Sequence, residues 1–274
     1  MDADATSTPL PAWLEAGLAG HPHCIVTAPR RYSLRAIDID QPALIVPLQG
    51  CKTFSQGEAA LQIGPGRYLM LHRALRATVQ NIPEQGDYRA WCVPFPWRVI
   101  DLARDLLAAH VSPPAPGPGY SSGGVADLAS ALQQVLACAD DPCAWDHALL
   151  GVLLALHRGG DDQFRLAHDL SIAARIRLLV AGAPGRAWSS ADIEEHLHMS
   201  GATLRRRLAE EGTSLRNVVR DARLHHGAAL LQTTRRPLKA VAAACGYRSV
   251  PSFSRQFSAR FGVEPHVLVA APAD

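Results

Sequence analysis

Between about residues 23 and 96 the apolar positions fall in short runs: "CIVTA", "YSLRAIDI", "ALIVPLQG", "KTFSQ", "AALQIGPGRYLML", "RATVQNI" and "YRAWCVPF". Turn-forming residues separate them. Runs of this length at this spacing predict the strands of a small barrel or sandwich. Inside the region, "GPG" at 64–66 predicts a tight turn, with Gly64 and Gly66 supplying backbone angles that other residues avoid. The pattern stops at "SPPAPGPGYSSGG", 112–124, where proline and glycine argue against regular structure and predict a linker or loop.

Beyond the break the period lengthens to that of a helix. In 125–139 Val125, Leu128, Leu132, Val135 and Leu136 recur at helical spacing, and 143–157 is apolar nearly all round, so something must cover it. Either the same helix pair of a second subunit or the chain's own barrel would serve. The last hundred residues then repeat one plan twice. "SSADIEEHLH" opens with Ser189 and Asp192 spaced as a capping box, runs as a short helix with Ile193 and Leu197 inward, and breaks at "MSG". In "ATLRRRLAEEG" Leu204 and Leu208 face inward, Arg205 and Arg206 outward, and Gly212 stops the helix. The second copy starts at Pro237, with Leu238, Val241, Ala242 and Cys245 on one face, ends at Gly246, and continues into "GYRSVPSFSRQFSARFGVEP". There Phe253, Phe257 and Phe261 form one buried stripe. That stripe leaves Ser252, Ser254, Arg255 and Gln256 on the other side, with Ser258 and Arg260 beside them. Between the copies, 214–234 starts at a serine cap and carries Leu215, Val218, Val219, Ala222, Ala229 and Leu230 inward as one connecting helix. At 1.5 Å per residue it spans roughly 28 Å, near the ~34 Å between successive major-groove faces of B-DNA. The chain is therefore read as α+β: an N-terminal β-barrel or jelly roll with a helical pair, then an all-α region of two helix-turn-helix units joined by a long helix.

Composition fits a folded protein, since 48% of the 274 residues are apolar and 19% charged. The net charge of +2 hides an uneven distribution: residues 185–274 hold 13 Arg and Lys against 8 Asp and Glu. A basic C-terminal third is the footprint expected of a nucleic-acid binder. The six cysteines form no CxxC pair and predict reduced, mostly buried thiols rather than a zinc site or disulfide scaffold. Residues 1–12 look frayed, the N-terminus has neither a basic region nor an apolar core of a leader, and no run reaches the ~20 apolar residues of a span. The expected location is the cytoplasm, with no membrane partner.

At this point the C-terminal residues, from about 168 to 265, resemble the DNA-binding domain of AraC/XylS-type transcription regulators. The resemblance rests on "SGATLRRRLAEEGTS", on the connector "ARLHHGAALL", and above all on Gly246, Tyr247, Ser249, Phe253, Ser254, Arg255, Phe257, Gly262 and Pro265 at the spacing of the family signature. It implies groove-facing positions at Ala202, Arg205 and Arg206 in the first reading helix and at Val250, Pro251, Ser252, Ser254 and Arg255 in the second. Ala202, Val250 and Pro251 carry no donor and offer apolar contact, such as with a thymine methyl; the three arginines suit either bidentate guanine readout or phosphate positioning. Two departures stand out. Gly227 takes a connector position where the family has alanine, at a helix cost of about 0.5 to 1 kcal/mol, and "HVLVA" after Pro265 replaces an aromatic-arginine pair.

The β-rich region resembles the family's cupin-like regulatory domain, with "GPGRYLML" as its best match. The expected division is a cupin-like regulatory and dimerisation domain over 1–160, with β structure at about 23–98 and helices at about 125–158, and a DNA-binding domain over 165–274. The metal-binding version of the cupin fold needs His-x-His, a following Glu and a distant His. Here His21 and His23 precede the first strand without that Glu, so no metal and no cofactor is expected. Arg30, Arg31 and Arg35 fit a solvated edge or an anionic effector, and Trp91 and Trp97 fit core positions or a stacking platform. The resemblance implies a transcription regulator and activator, not an enzyme, with promoter DNA and RNA polymerase as partners. It also implies an N-terminal domain that senses an unidentified small molecule, forms a homodimer, or both. The competing readings are a cupin-type metalloenzyme with a DNA-binding appendage and an effector-independent DNA binder.

Overall fold

The computed structural model describes residues 10–18, 25–108, 112, 114–138, 141–166 and 170–269. His21, His23 and Cys24, with most of the N-terminal stretch read as frayed, lie outside the described residues. Nine strands form two antiparallel sheets among the described residues. One has the order β1 (Ile25–Ala28), β8 (Tyr88–Pro94), β3 (Ala43–Gln49), β6 (Arg67–Leu71), β9 (Tyr120–Gly124); the other runs β2 (Tyr32–Ile39), β7 (Leu75–Ile82), β4 (Cys51–Gln56), β5 (Ala59–Ile63).

The two sheets differ in pattern because they differ in cover. The five-stranded sheet is buried on both faces, so β3 reads "ALIVPLQ" and β6 "RYLML" with consecutive buried residues. Its inner face, with Ile45, Leu69, Leu71, Tyr88 and Ala90, meets Leu34, Phe54, Ile63, Ala77 and Val79 of the other sheet. Its outer face, with Leu44, Val46, Met70, Trp91 and Val93, is covered by helices. The four-stranded sheet has one wet face and keeps the alternation expected of it, as in the burial of Lys52 and Phe54 along β4. In the "GPG" turn only Gly66 has a positive φ, +81°; Pro65 and Gly66 are the central pair and the Arg67 amide donates to the Gly64 carbonyl at 3.3 Å. Gly64 needs no special angle.

Helices α1 (Ala12–Leu18), α2 (Trp97–Ala108), α3 (Ala129–Ala137) and α4 (Pro142–Arg158) cover the outer face. The apolar α4 is enclosed by its own chain: Leu149, Val152, Leu153 and Leu156 lie in one core with Val99, Ala103, Leu132 and Val135. Two expectations change here. Tyr120–Gly124, inside the stretch read as linker or loop, is strand β9, because its backbone completes the ladder along β6, with Leu69 opposite Ser122. Among the described cysteines only Cys245 is buried; Cys51, Cys92 and Cys138 are half-buried, Cys143 is exposed, and all are free thiols.

The C-terminal region is helical: α5 (Ile172–Ala181), α6 (Ser190–Leu197), α7 (Gly201–Glu210), α8 (Leu215–Thr233), α9 (Leu238–Ala244) and α10 (Val250–Phe261). Ser171, Ser189, Ser200, Ser214 and Ser249 each cap a helix through the side-chain oxygen, and Ser189 with Asp192 completes the capping box. Helix α6 ends on His198 at φ 52°, ahead of the "MSG" that marked the break in the sequence. The Glu211 carboxylate accepts from the amides of Ile172 (2.6 Å) and Ala173 (2.9 Å), tying the end of α7 to the start of α5.

The two helical units are packed differently. The first has its own core, with Ile176, Val180, Ile193, Leu197, Leu204, Leu208, Val218 and Ala222. The second unit, with Val241, Phe253, Phe257 and Phe261, shares one continuous core with the inner faces of the sheets. Helix α8 belongs to both and lies against β1, while α10 lies against β2. That double duty turns its buried stripe: Leu224, Gly227, Ala228 and Leu231 are buried, while Ala229, expected inward, is exposed and Leu230 half-exposed. Gly227 is there for closeness, since a Cβ would stand 2.9 Å from the Phe253 ring and 3.2 Å from Cys245 Sγ. The helix propensity lost at this glycine is offset by the approach of α8 to α10.

Candidate nucleic-acid interface

Helices α7 and α10 each follow a short helix through a tight turn, and each presents an exposed face opposite a fully buried stripe. In α7, Leu204 and Leu208 are 1% exposed, whereas Ala202, Arg205, Arg206 and Arg207 are exposed. In α10, Phe253, Phe257 and Phe261 are at 0% and form a run of tilted and edge-on ring contacts with centroid separations of 5.5 and 4.7 Å. On the outer side Pro251 and Arg255 are exposed, and Val250, Ser252 and Ser254 half-exposed. All eight residues singled out in the sequence therefore sit on the first helical turns or outward faces of these two helices. Their freedom differs. Arg205 and Arg255 have no ion pair or side-chain hydrogen bond among the described residues, while Arg206 pairs with Glu210 at 2.9 Å in an exposed i,i+4 bridge. Such a bridge contributes only about 0.3 to 0.5 kcal/mol, so Arg206 can exchange it for a phosphate.

Arg260 does not flank this face. Its Nη2 donates to Asp38 Oδ2 at 2.8 Å and its Nε to Asp221 Oδ2 at 3.3 Å, which turns it toward β2. A β-bulge between Leu34 and Ile37 re-aims the end of β2, and Asp38 and Asp40 face the helices. Asp40 takes a two-pronged bond from Arg177 of α5 at 2.6 and 2.7 Å. Burial works to lower the Arg177 pKa, but the hydrogen bonds and charge of Asp40 outweigh it and the net shift is upward. Arg35 of this strand packs on Gly262, while Arg30 and Arg31 are exposed. Trp91 is core at 1% exposure, and Trp97 donates its indole N–H to the Asp40 carbonyl at 3.0 Å.

His225 of α8 sits in the same contact. Its Nε2 accepts from the Asp38 amide at 3.2 Å and its Nδ1 donates to the Asp221 carbonyl at 2.8 Å, so the bonded ring is neutral. Burial, then the charge of Arg260, lower its pKa below the usual 6.5, against upward pulls from the Asp221 carbonyl, Asp38 and Asp40. A histidine with a lowered folded pKa contributes stability that is complete above the unfolded value and declines as pH falls below it. Hydrogen exchange of α8 and β2 amides is therefore expected to rise as pH drops below about 6.5, after correction for intrinsic rates; equal protection at pH 7.5 and 5.5 would contradict this.

The inner β core holds one feature that the sequence analysis missed. Lys52 is 6% exposed and has no carboxylate partner among the described residues; its Nζ donates to Asn81 Oδ1 at 2.6 Å. Asn81 donates to the Tyr32 hydroxyl at 2.9 Å, and Gln232 of α8 donates to the same oxygen at 2.7 Å. The Tyr88 hydroxyl is buried without a hydrogen-bond partner among the described residues, and the Lys52 ammonium stands 5.4 Å from its ring centre. Burial lowers the Lys52 pKa to about 8, opposed only by the charge of Cys92. The signal was present: Lys52 and Phe54 are two apart on one strand, so both point inward. Among the described residues no group of three His, Cys, Asp or Glu comes together to hold a metal, and no helix is long and apolar enough to cross a membrane.

The helical region matches a family profile described as "Helix-turn-helix domain" over residues 193–270. The virulence regulon transcriptional activator VirF of Shigella flexneri is 30% identical over 230 residues, covering 78% of this chain and 85% of that protein. The HTH-type transcriptional regulator YdeO of Escherichia coli is 31% identical over 96 residues, 35% of this chain and 38% of its own length. In structure the chain is similar to an apo form of a ToxT variant from Vibrio cholerae, with a TM-score of 0.61 at 16% identity over 90% of this chain and 96% of that one. A ToxT structure described as unsaturated fatty acid bound aligns with a TM-score of 0.57 at 15% identity, covering 91% and 95%. The agreement of the paired units with the family signature and the match to VirF along most of both chains lead to one conclusion: this chain belongs to the AraC-type family of DNA-binding transcription regulators.

Proposed function

We propose that this protein is a sequence-specific transcription activator of the cytoplasm, not an enzyme, that places α7 and α10 in successive major-groove segments of a promoter and contacts RNA polymerase. The observation that carries the reading is the pairing, twice over, of a fully buried Leu or Phe stripe with an exposed arginine, unpaired among the described residues, one or two residues along the helix. Arg205 and Arg255 are the base readers in this scheme, Arg206 and Ser254 assist, Ala202, Val250 and Pro251 offer apolar contact, and Ser252 borders the groove. The chain divides near residue 165, with regulation and self-association assigned to the N-terminal part. Its effector is a small molecule with an anionic group, received between the sheets by Lys52 and Tyr88. The buried ammonium, without a carboxylate partner among the described residues, supports this, as does the fatty acid bound by structurally similar ToxT.

Binding-site selection from a random duplex library tests the reading. Arg255→Ala is expected to relax preference at one base pair, a loss of about 1 to 3 kcal/mol of discrimination, and Arg205→Ala to do so about one helical turn away. A uniform loss over all sequences would reassign either residue to the phosphates.

A further inference from the structure

A cleft of about 1480 Å³ lies between the two helix-turn-helix units, adjoining the outer face of α10. Its floor is the first half of α8; its walls are the residues just before α6, the turn leading into α10, and the flank of α10 that carries Ser252, Gln256 and Ala259. Three helices begin at this cleft: α6 after Ser189, α8 at Leu215, and α10 after Ser249. Each cap serine satisfies one amide of its helix; Asp192 already answers the start of α6, whereas α8 and α10 have no acidic residue in the first turn and keep positive ends at the cleft. Arg216, Arg220 and Arg248 add exposed cations, and no Asp or Glu lines the walls. The neighbouring Asp221 is already engaged by Arg220 and Arg260. Arg216 and Arg248 make no ion pair and no side-chain hydrogen bond with any described residue.

Other arginines of the cleft have structural work. Arg223 donates to the carbonyls of Pro184 (3.0 Å) and Arg186 (2.7 Å), and Arg260 holds β2. Arg216 and Arg248 have none and are therefore available to an anion that enters the cleft. Ser252 lies both on the cleft wall and at the border of the α10 reading face, so the two surfaces are continuous.

We infer that this cleft seats the sugar-phosphate backbone of the DNA between the two major-groove segments, with Arg216 and Arg248 closing on phosphates. The inference rests on the proposed placement of α7 and α10 on DNA. It adds a contact that carries affinity and register but no base preference.

The test uses the full chain and its Arg216→Ala/Arg248→Ala variant, on a duplex selected by the parent protein and on a scrambled duplex, from 50 to 200 mM salt. Each lost phosphate contact should reduce the slope of log K against log salt by about 0.9, so the double variant should be shallower by nearly 2. Affinity should fall by a similar factor on both duplexes, selected base preferences should stay as in the parent, and Arg216→Lys/Arg248→Lys should keep the parental slope. An unchanged slope overturns the inference, and so does a loss confined to the selected duplex. If DNA binding is untouched while binding of polyglutamate is lost, the cleft takes an acidic polypeptide and the inference also fails. Failure of the parent to prefer any sequence would instead strike the functional reading itself.

Discussion

Phe257→Ala is expected to destabilise the protein by about 3 to 5 kcal/mol and to remove DNA binding by the second unit. Phe257 is wholly buried between Phe253 and Phe261, and these rings join α10 to α9 and to the half of α8 that faces the sheets. Removing the middle ring costs its transfer energy, leaves a cavity, and forfeits two aromatic contacts of about 0.5 to 1.5 kcal/mol each. Because this core is continuous with the inner faces of the sheets, the damage should not stay in α10. Thermal melting should show a fall in Tm of about 10 °C for the whole chain, by the usual 2 to 4 °C per kcal/mol at this size. Leu208→Ala, in the separate core of the first unit, serves as the comparison: it should loosen α6 and α7 and leave exchange protection of β2 and β4 as before. If Phe257→Ala left the strand amides equally protected, the second unit would be shown to fold independently of the sheets.

Asp40→Ala should cost about 3 kcal/mol and free the first unit from the β layer. Arg177 and Asp40 are 15% and 11% exposed, so removing the acid strands a largely desolvated guanidinium with two unmet donors. The effect should be local in hydrogen exchange, greatest in α5 and at the β2–β3 corner where the Asp40 carbonyl also receives Trp97. Asp40→Asn should lose most of the same energy, since the amide keeps one acceptor but not the charge. A change under 0.5 kcal/mol in either variant would place this pair among ordinary surface bridges. Together with Arg260 on Asp38 and Asp221, the pair holds both helical units against one bulged strand. Freed units are expected to gain freedom in the angle between α7 and α10.

How much of this was legible in the chain differs from element to element. The Phe253, Phe257 and Phe261 stripe, the serine caps and the exposed arginines follow from helical spacing and local hydrogen bonding, so they could be read without a structure. Helix α8 shows where that logic stops. Its first half obeys the expected stripe, with Val218 and Ala222 inward, but its second half turns to bury Leu224, Ala228 and Leu231 because β1 and α9 approach from another side. Strand β9 shows the converse: after Tyr120, "SSGG" has no strand-favouring side chain, and the open edge of β6 makes it one. Helices α1 and α2 were not foreseen either, since their apolar faces gain meaning from the sheet they cover.

Lys52 is the sharpest case. Alternation along β4 determines that it points inward, yet a lysine in a strand reads as an edge or surface residue until the second sheet closes over it. By itself the sequence determined the family, the two helix-turn-helix units and the residues on the outer faces of α7 and α10, because these depend on contacts within a few turns of chain. Tertiary structure alone decided that Arg260 pairs with Asp38 and Asp221 at the β layer, that the second unit shares its core with the sheets, and that three helix starts meet in one basic cleft. Those are contacts between segments up to 225 residues apart, and no local spacing encodes them.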